Sequence, residues 1–121
     1  MFDNINKPKG LKRVALAALN SFRALKWLYQ NESAFRQELL LLLIALPISF
    51  AFDISTLEQV SLILAILFII FTEIINTAIE AVVDRIGLEI HPLSGLAKDL
   101  GSAAVFVSLI IASSIWLVIL L

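Results

Sequence analysis

The 121-residue chain is 60% hydrophobic and 16% charged, holds no cysteine and carries a net charge of −1. Soluble domains average about 45–50% apolar and about 25% charged residues, so these figures, with a mean hydropathy of +0.99, exclude a water-soluble globular domain and intrinsic disorder. Without cysteine there is no disulfide framework and no thiolate metal cluster, which leaves a membrane protein of a few helices in one domain.

Residues 11–30 come first and are too charged to span a bilayer. Leu11, Val14, Ala18, Phe22, Leu25 and Tyr29 recur at the helical period as an apolar stripe, while Lys12, Arg13, Arg23 and Lys26 project from the other side. A basic helix of this kind is expected to lie in the membrane interface. A secretory signal is set aside, because the apolar run 14–19 has six residues where about 7–15 are needed.

Three apolar segments follow. The uncharged run 39–52 has fourteen residues, short of the roughly 20 that a bilayer core requires, so the span is expected to recruit 34–38. Residues 60–83 are long enough but contain Glu73, Asn76 and Glu80. Residues 100–121 carry no charge and read as a spanning helix. The expected fold is therefore an all-α integral membrane bundle, a single membrane domain over 1–121. It has a surface helix and transmembrane helices at 34–52, 60–83 and 100–121, repeated in an oligomer.

Basic residues set the orientation. Of the nine, Lys7, Lys9, Lys12, Arg13, Arg23, Lys26 and Arg36 precede the uncharged core of the first span, and Arg85 and Lys98 flank the second connection. The positive-inside rule then places the N-terminus and the 84–99 loop in the cytoplasm, with the 53–59 turn and Leu121 outside.

The chemistry concentrates on the second span. Glu73, Asn76, Thr77, Glu80 and Asp84 share one helical stripe roughly 100° wide. A charge near the bilayer centre costs on the order of 2.5–3.5 kcal/mol even on lenient scales, so intramembrane carboxylates mark function by default. Helix packing accounts for a lone Asn76 but not for two glutamates beside it. With Asp84 at the cytoplasmic surface, Glu80 lies about one turn below it and Glu73 about three. One protomer offers few partners at that depth, so the face is expected to close against other copies of the chain.

Acidic oxygens with Lys98 nearby suit a Mg²⁺-bound polyphosphate, the carboxylates for the metal and the ammonium for phosphate. His91, beside Pro92, reads as a loop residue. No GxxxxGK[ST] or kinase glycine loop is present, since the only glycines are Gly10, Gly87, Gly95 and Gly101. Two functions stay open from the residues alone. One is an enzyme acting on a lipid hydroxyl at the interface; the other is an oligomeric cation or proton pathway lined by Glu73 and Glu80. The acidic strip stops mid-membrane, which favours a site reached from one side.

The segments 73–84 (EIINTAIEAVVD), 31–38 (NESAFRQE) and 97–104 (AKDLGSAA) resemble the signature of the prokaryotic diacylglycerol kinase family. The similarity extends from Arg13 to Trp116. It implies a homotrimer in the bacterial inner membrane that phosphorylates diacylglycerol to phosphatidic acid with ATP and Mg²⁺, and no nucleic-acid partner. Some members prefer undecaprenol, and the 83–87 continuation looks more like the diacylglycerol branch. Carried over by position, the resemblance implies Glu73 as the catalytic base with Asn76 beside it, and Glu32 and Glu80 as metal ligands. It implies ATP contacts at Arg13, Asn20, Glu32, Glu80, Glu89, Ile90, His91, Lys98 and Asp99. Lipid contacts are implied at Glu73, Ser102, Ala34, Arg36, Gln37, Glu38 and Trp116.

Overall fold

The computed structural model describes residues 8–121; Lys7, which enters the charge count above, lies outside them. The described residues form four helices in two compact units, one ending at Ser33 and the other running from Ala34 to Leu121. In the first unit, α1 (Gly10–Asn31) covers the expected surface helix and ends where Glu32 turns extended, its backbone N–H still donating to the Leu28 carbonyl. Its charges and its apolar stripe are both mostly exposed.

The second unit is built from α2 (Ser33–Ala51), α3 (Thr56–Ile86) and α4 (Pro92–Leu120), with Ser33 itself falling in the first unit. All three are long and apolar enough to cross a membrane. Helix α2 continues through Pro47, and next to it the Ser49 hydroxyl donates to the Leu46 carbonyl at 2.7 Å. At 1.5 Å per residue the 31 residues of α3 run about 46 Å, well beyond a hydrocarbon core of about 30 Å. α3 and α4 both outrun the apolar windows expected for them. Their ends are set by caps, not by the bilayer. Ser55 and Glu58 form a capping box that starts α3. Pro92 takes the first turn of α4, and the His91 Nδ1 accepts the Leu93 N–H at 3.1 Å. His91 is thus a helix cap and more than a loop residue.

Helices α3 and α4 pack antiparallel along their length. Lys98 meets Asp84 at the connected end, Gly101 sits against Asn76, the Thr72 and Ser108 hydroxyls are 2.9 Å apart, and Trp116 Nε1 donates to the Leu62 carbonyl at 3.1 Å. Close approach is possible because α4 turns Gly101, Ser108 and Ala112 toward its neighbour. In a membrane such small residues provide the packing that hydrophobicity cannot, since lipid tails are as apolar as leucine. The buried set of α3, from Leu62 through Ile69 to Val83, makes it the central helix of this unit.

Candidate active site

The acidic stripe of α3 is graded by burial. Glu73, Asn76 and Thr77 are 7%, 8% and 8% exposed, Glu80 is half-buried, and Asp84 is exposed. The helical period brings these side chains to one face, and the packing of the unit then buries one end of the stripe. Carboxylates this far from water persist only with specific partners.

Asn76 links the levels of the stripe. Its Nδ2 donates to Glu80 Oε1 at 3.4 Å, a long bond, while its Oδ1 is buried without a protein partner against Gly101. A Cβ on Gly101 would collide with that oxygen, so the glycine is what admits the amide between the helices. The amide orientation follows from its neighbour, because only the NH₂ end can face a carboxylate. Thr77 Oγ1 is also buried and unpartnered. The other buried hydroxyls, Ser49, Thr72 and Ser108, each reach a carbonyl of their own helix. Glu38 lies within electrostatic reach of Glu73, and its Oε2 is buried with no hydrogen-bond partner. Three orphaned polar atoms thus lie on or beside the stripe, where each unmet bond costs about 1–3 kcal/mol unless something else supplies it.

At the exposed end, Lys98 Nζ and Asp84 Oδ1 form an ion pair of 2.8 Å. An open cleft of about 260 Å³ adjoins it, lined among others by Glu89, Ile90, His91 and Ser94. Asp99 and Ser102, one helical turn or less beyond Lys98, are exposed. The second unit therefore places Glu38 near Glu73 at the deep end of the stripe, Asn76 and Glu80 next along it, and Asp84, Lys98 and the 89–91 loop at its exposed end. Ala34 is half-buried and Arg36 and Gln37 are exposed near the start of α2. Trp116 stands apart. It is 18 residues along α4 from Lys98, about 27 Å, beside an apolar pocket of about 250 Å³ that also touches Ile44, Ile66 and Ala112.

Arg13, Asn20 and Glu32 belong to the first unit. There Arg13 is exposed, Asn20 accepts a 3.4 Å bond from Arg23, and Glu32 is half-buried. Among the described residues, no group of three or more His, Asp or Glu side chains is poised to hold a metal. Sequence reasoning passed over Gly101, Thr72 and Ser108; for the two on α4 the signal was the spacing of seven and four that puts Gly101, Ser108 and Ala112 on one helical face.

The sequence profile described as prokaryotic diacylglycerol kinase matches residues 19–120. The chain belongs to the prokaryotic diacylglycerol kinase family. It is 44% identical over 115 residues to the diacylglycerol kinase of Escherichia coli strain K12, covering 95% of this chain and 94% of that one. The Pseudomonas aeruginosa diacylglycerol kinase is 44% identical over 112 residues, covering 93% and 91%. That of Helicobacter pylori strain 26695 is 40% identical over 110 residues, covering 91% and 86%. This family member is thus a kinase with three membrane-spanning helices. Its acidic stripe lies inside the matched region.

Proposed function

We propose that this chain transfers the γ-phosphoryl group of ATP to the free hydroxyl of diacylglycerol, giving phosphatidic acid and ADP. The site would sit at the cytoplasmic face of the bacterial inner membrane, and the working form would be a homotrimer with sites between protomers. The observation that carries the reading is a buried carboxylate, Glu73, at the deep end of a stripe that climbs to an exposed lysine. A lipid hydroxyl comes from the bilayer and a nucleotide from water. Only a site at their boundary serves both.

In this scheme Glu73 takes the proton of the lipid hydroxyl as its oxygen bonds to the γ-phosphorus and the bond to the β-phosphate oxygen breaks. Asn76, fixed between Gly101 and Glu80, holds the level between base and nucleotide. Glu38, within electrostatic reach of Glu73, would line the deep end of the site, where Ala34, Arg36, Gln37 and Ser102 would border the lipid head and Trp116 its tail. Lys98 would neutralise phosphate charge with Asp99, Glu89, Ile90 and His91 around it, and Arg13 and Asn20 would approach the nucleotide from α1. Phosphoryl transfer asks the protein mainly for positioning and charge neutralisation, and this residue set supplies both without a glycine loop.

The donor set fits Mg²⁺. Glu80 is a half-buried hard-oxygen ligand that accepts one long bond from the Asn76 amide, and Glu32 is a second carboxylate. Mg²⁺ keeps several waters and is usually held by one or two carboxylates plus substrate phosphates, so a cage of three side chains is not required. When bound, the ion would supply charge neutralisation on the β- and γ-phosphates. Orientation rests on the basic residues, seven before the uncharged core of the first span and two at the second connection.

The test is a product assay with purified, reconstituted protein, labelled ATP and either diacylglycerol or undecaprenol. Labelled phosphatidic acid is the expected product. Phosphorylation of undecaprenol alone would overturn the acceptor, and no lipid product from either alcohol would overturn the reaction.

A further inference from the structure

Thr77 is buried on the acidic stripe and has no role in the reaction proposed above. It is 8% exposed, and its Oγ1 has no hydrogen-bond partner among the described residues. Other helical hydroxyls in the chain behave differently. Ser21, Ser49, Ser61, Thr72, Ser108 and Ser114 each donate to a carbonyl three or four residues back on their own helix, the usual way for such a group to satisfy itself. Thr77 leaves that bond unmade, so its O–H is an uncommitted donor.

Position and donor supply indicate what the hydroxyl serves. At 100° and 1.5 Å per residue, Thr77 lies about 40° around α3 from Glu73, about 6 Å from it toward Asp84 and about 4.5 Å short of Glu80. A phosphoryl group passing from a nucleotide at Glu80 to a hydroxyl at Glu73 has to cross that level. It brings three oxygens, all acceptors, with charge spread over them in the transition state. The stripe offers such a group little else. Glu73, Glu80 and Asp84 only accept when ionised, and the Asn76 amide donates to Glu80 and turns its Oδ1 to Gly101.

We infer that Thr77 is a catalytic residue, donating a hydrogen bond from Oγ1 to a non-bridging oxygen of the phosphoryl group during its transfer. The lipid oxygen bonds to phosphorus, the bond from phosphorus to the bridging oxygen of ADP breaks, and the lipid proton goes to Glu73. Thr77 keeps its own proton throughout. A neutral donor suits an acidic site, because an ammonium at this level would pair with the carboxylates on either side. Glu73 is as deeply buried as Thr77, at 7% exposed, so an opening that admits the lipid hydroxyl to one admits the phosphoryl group to the other. The inference rests on the phosphoryl-transfer reading, and the test separates the two.

Thr77→Val keeps the shape and removes the hydroxyl, while Thr77→Ser keeps the hydroxyl. Both are made in the full-length protein, assayed with ATP and diacylglycerol after reconstitution, and followed by thermal unfolding in detergent. In Thr77→Val, kcat should fall by roughly 10²–10³, the range for losing one donor to transition-state charge. KM for ATP and for diacylglycerol should stay near the parent values, because the bond is made chiefly in the transition state. The unfolding temperature should hold or rise, since no protein group loses a partner. Thr77→Ser should recover most of kcat. Retention of more than a tenth of kcat in Thr77→Val would overturn the inference, as would a loss confined to KM or a serine variant as slow as the valine one. A lower unfolding temperature for Thr77→Val would also overturn it, showing that a group of the same chain or of a second copy already holds the hydroxyl. A parent protein that phosphorylates no lipid overturns the reaction and the role of Thr77 together, whereas an active parent with a fully active Thr77→Val overturns only the latter.

Discussion

At the scale of single residues, the proposed roles separate by what each side chain can still do after conservative change. Glu73→Gln keeps volume and a hydrogen-bonding end but loses the base, so turnover should fall by roughly 10²–10⁴ with helical content unchanged; retention of more than a tenth of the activity would remove Glu73 from that role. Glu80→Gln and Glu32→Gln trade a carboxylate for an amide, a poorer ligand for a hard cation. Mg²⁺ titration at fixed ATP should show a raised metal requirement in both before lipid affinity changes, and an unchanged titration would take them out of the metal shell. Gly101→Ala is a different kind of test, since the new methyl meets the Asn76 oxygen. Overpacking of this sort costs about 1–3 kcal/mol. Thermal unfolding in detergent should register that loss, and adding Asn76→Ala should restore stability without restoring activity. A Gly101→Ala protein as stable as the parent would show that the helices yield there. The carboxylates were legible in the sequence because ionisable groups stand out in an apolar segment. Gly101 was not, because a close contact depends on which α4 residue comes opposite Asn76, and helical periodicity on one helix says nothing about its neighbour.

At the scale of elements, the apolar runs located the three spans and the periodic stripe located the surface helix, with the ends of α1 and α2 within one residue of those expected, but α3 and α4 run further. α3 begins at Thr56 and ends at Ile86, against an expected 60–83, and α4 begins at Pro92, against an expected 100. A hydropathy window finds where lipid must be; backbone hydrogen bonding decides where a helix stops. Ser55, Glu58 and Pro92 carry that information as short local motifs. The added length has a consequence for the site. It holds Asp84 and Lys98 on rigid helix, so a nucleotide would meet side chains held on helices instead of on a loop. Ser55→Ala removes one half of the capping box at the opposite end of α3, 3.1 Å from the Glu58 N–H it satisfies. The expected loss is about 0.5–2 kcal/mol of stability, seen as a lower unfolding temperature with unchanged ATP and lipid kinetics. Kinetic change without a stability loss would mean that this end of the helix communicates with the site.

At the scale of the whole molecule, the division of proposed site residues between two compact units raises the question of which copies complete a site. The acidic face of α3 carries unpartnered buried oxygens on Asn76 and Thr77, with another on Glu38 nearby, and the proposed nucleotide contacts Arg13, Asn20 and Glu32 lie outside the unit that holds them. The sequence already suggested that one protomer has too few polar partners to enclose this face. It could not reveal which copy contributes what, because identical chains leave no mark of their neighbours in a single sequence. Closed homo-oligomers repeat one asymmetric contact around an axis, so a site at a protomer boundary draws on two chains. Glu73→Gln and Arg13→Ala make the test concrete, each expected to be nearly inactive alone. If the two positions in one site come from different chains, equal co-assembly leaves about a quarter of the sites with both intact, by independent mixing around a cyclic oligomer. Activity of the mixed sample near a quarter of the parent is therefore the expected outcome. Subunit exchange is verified first by recovering both variants through a tag on only one of them. No recovery after that control would place Arg13 and Glu73 of each site on the same protomer.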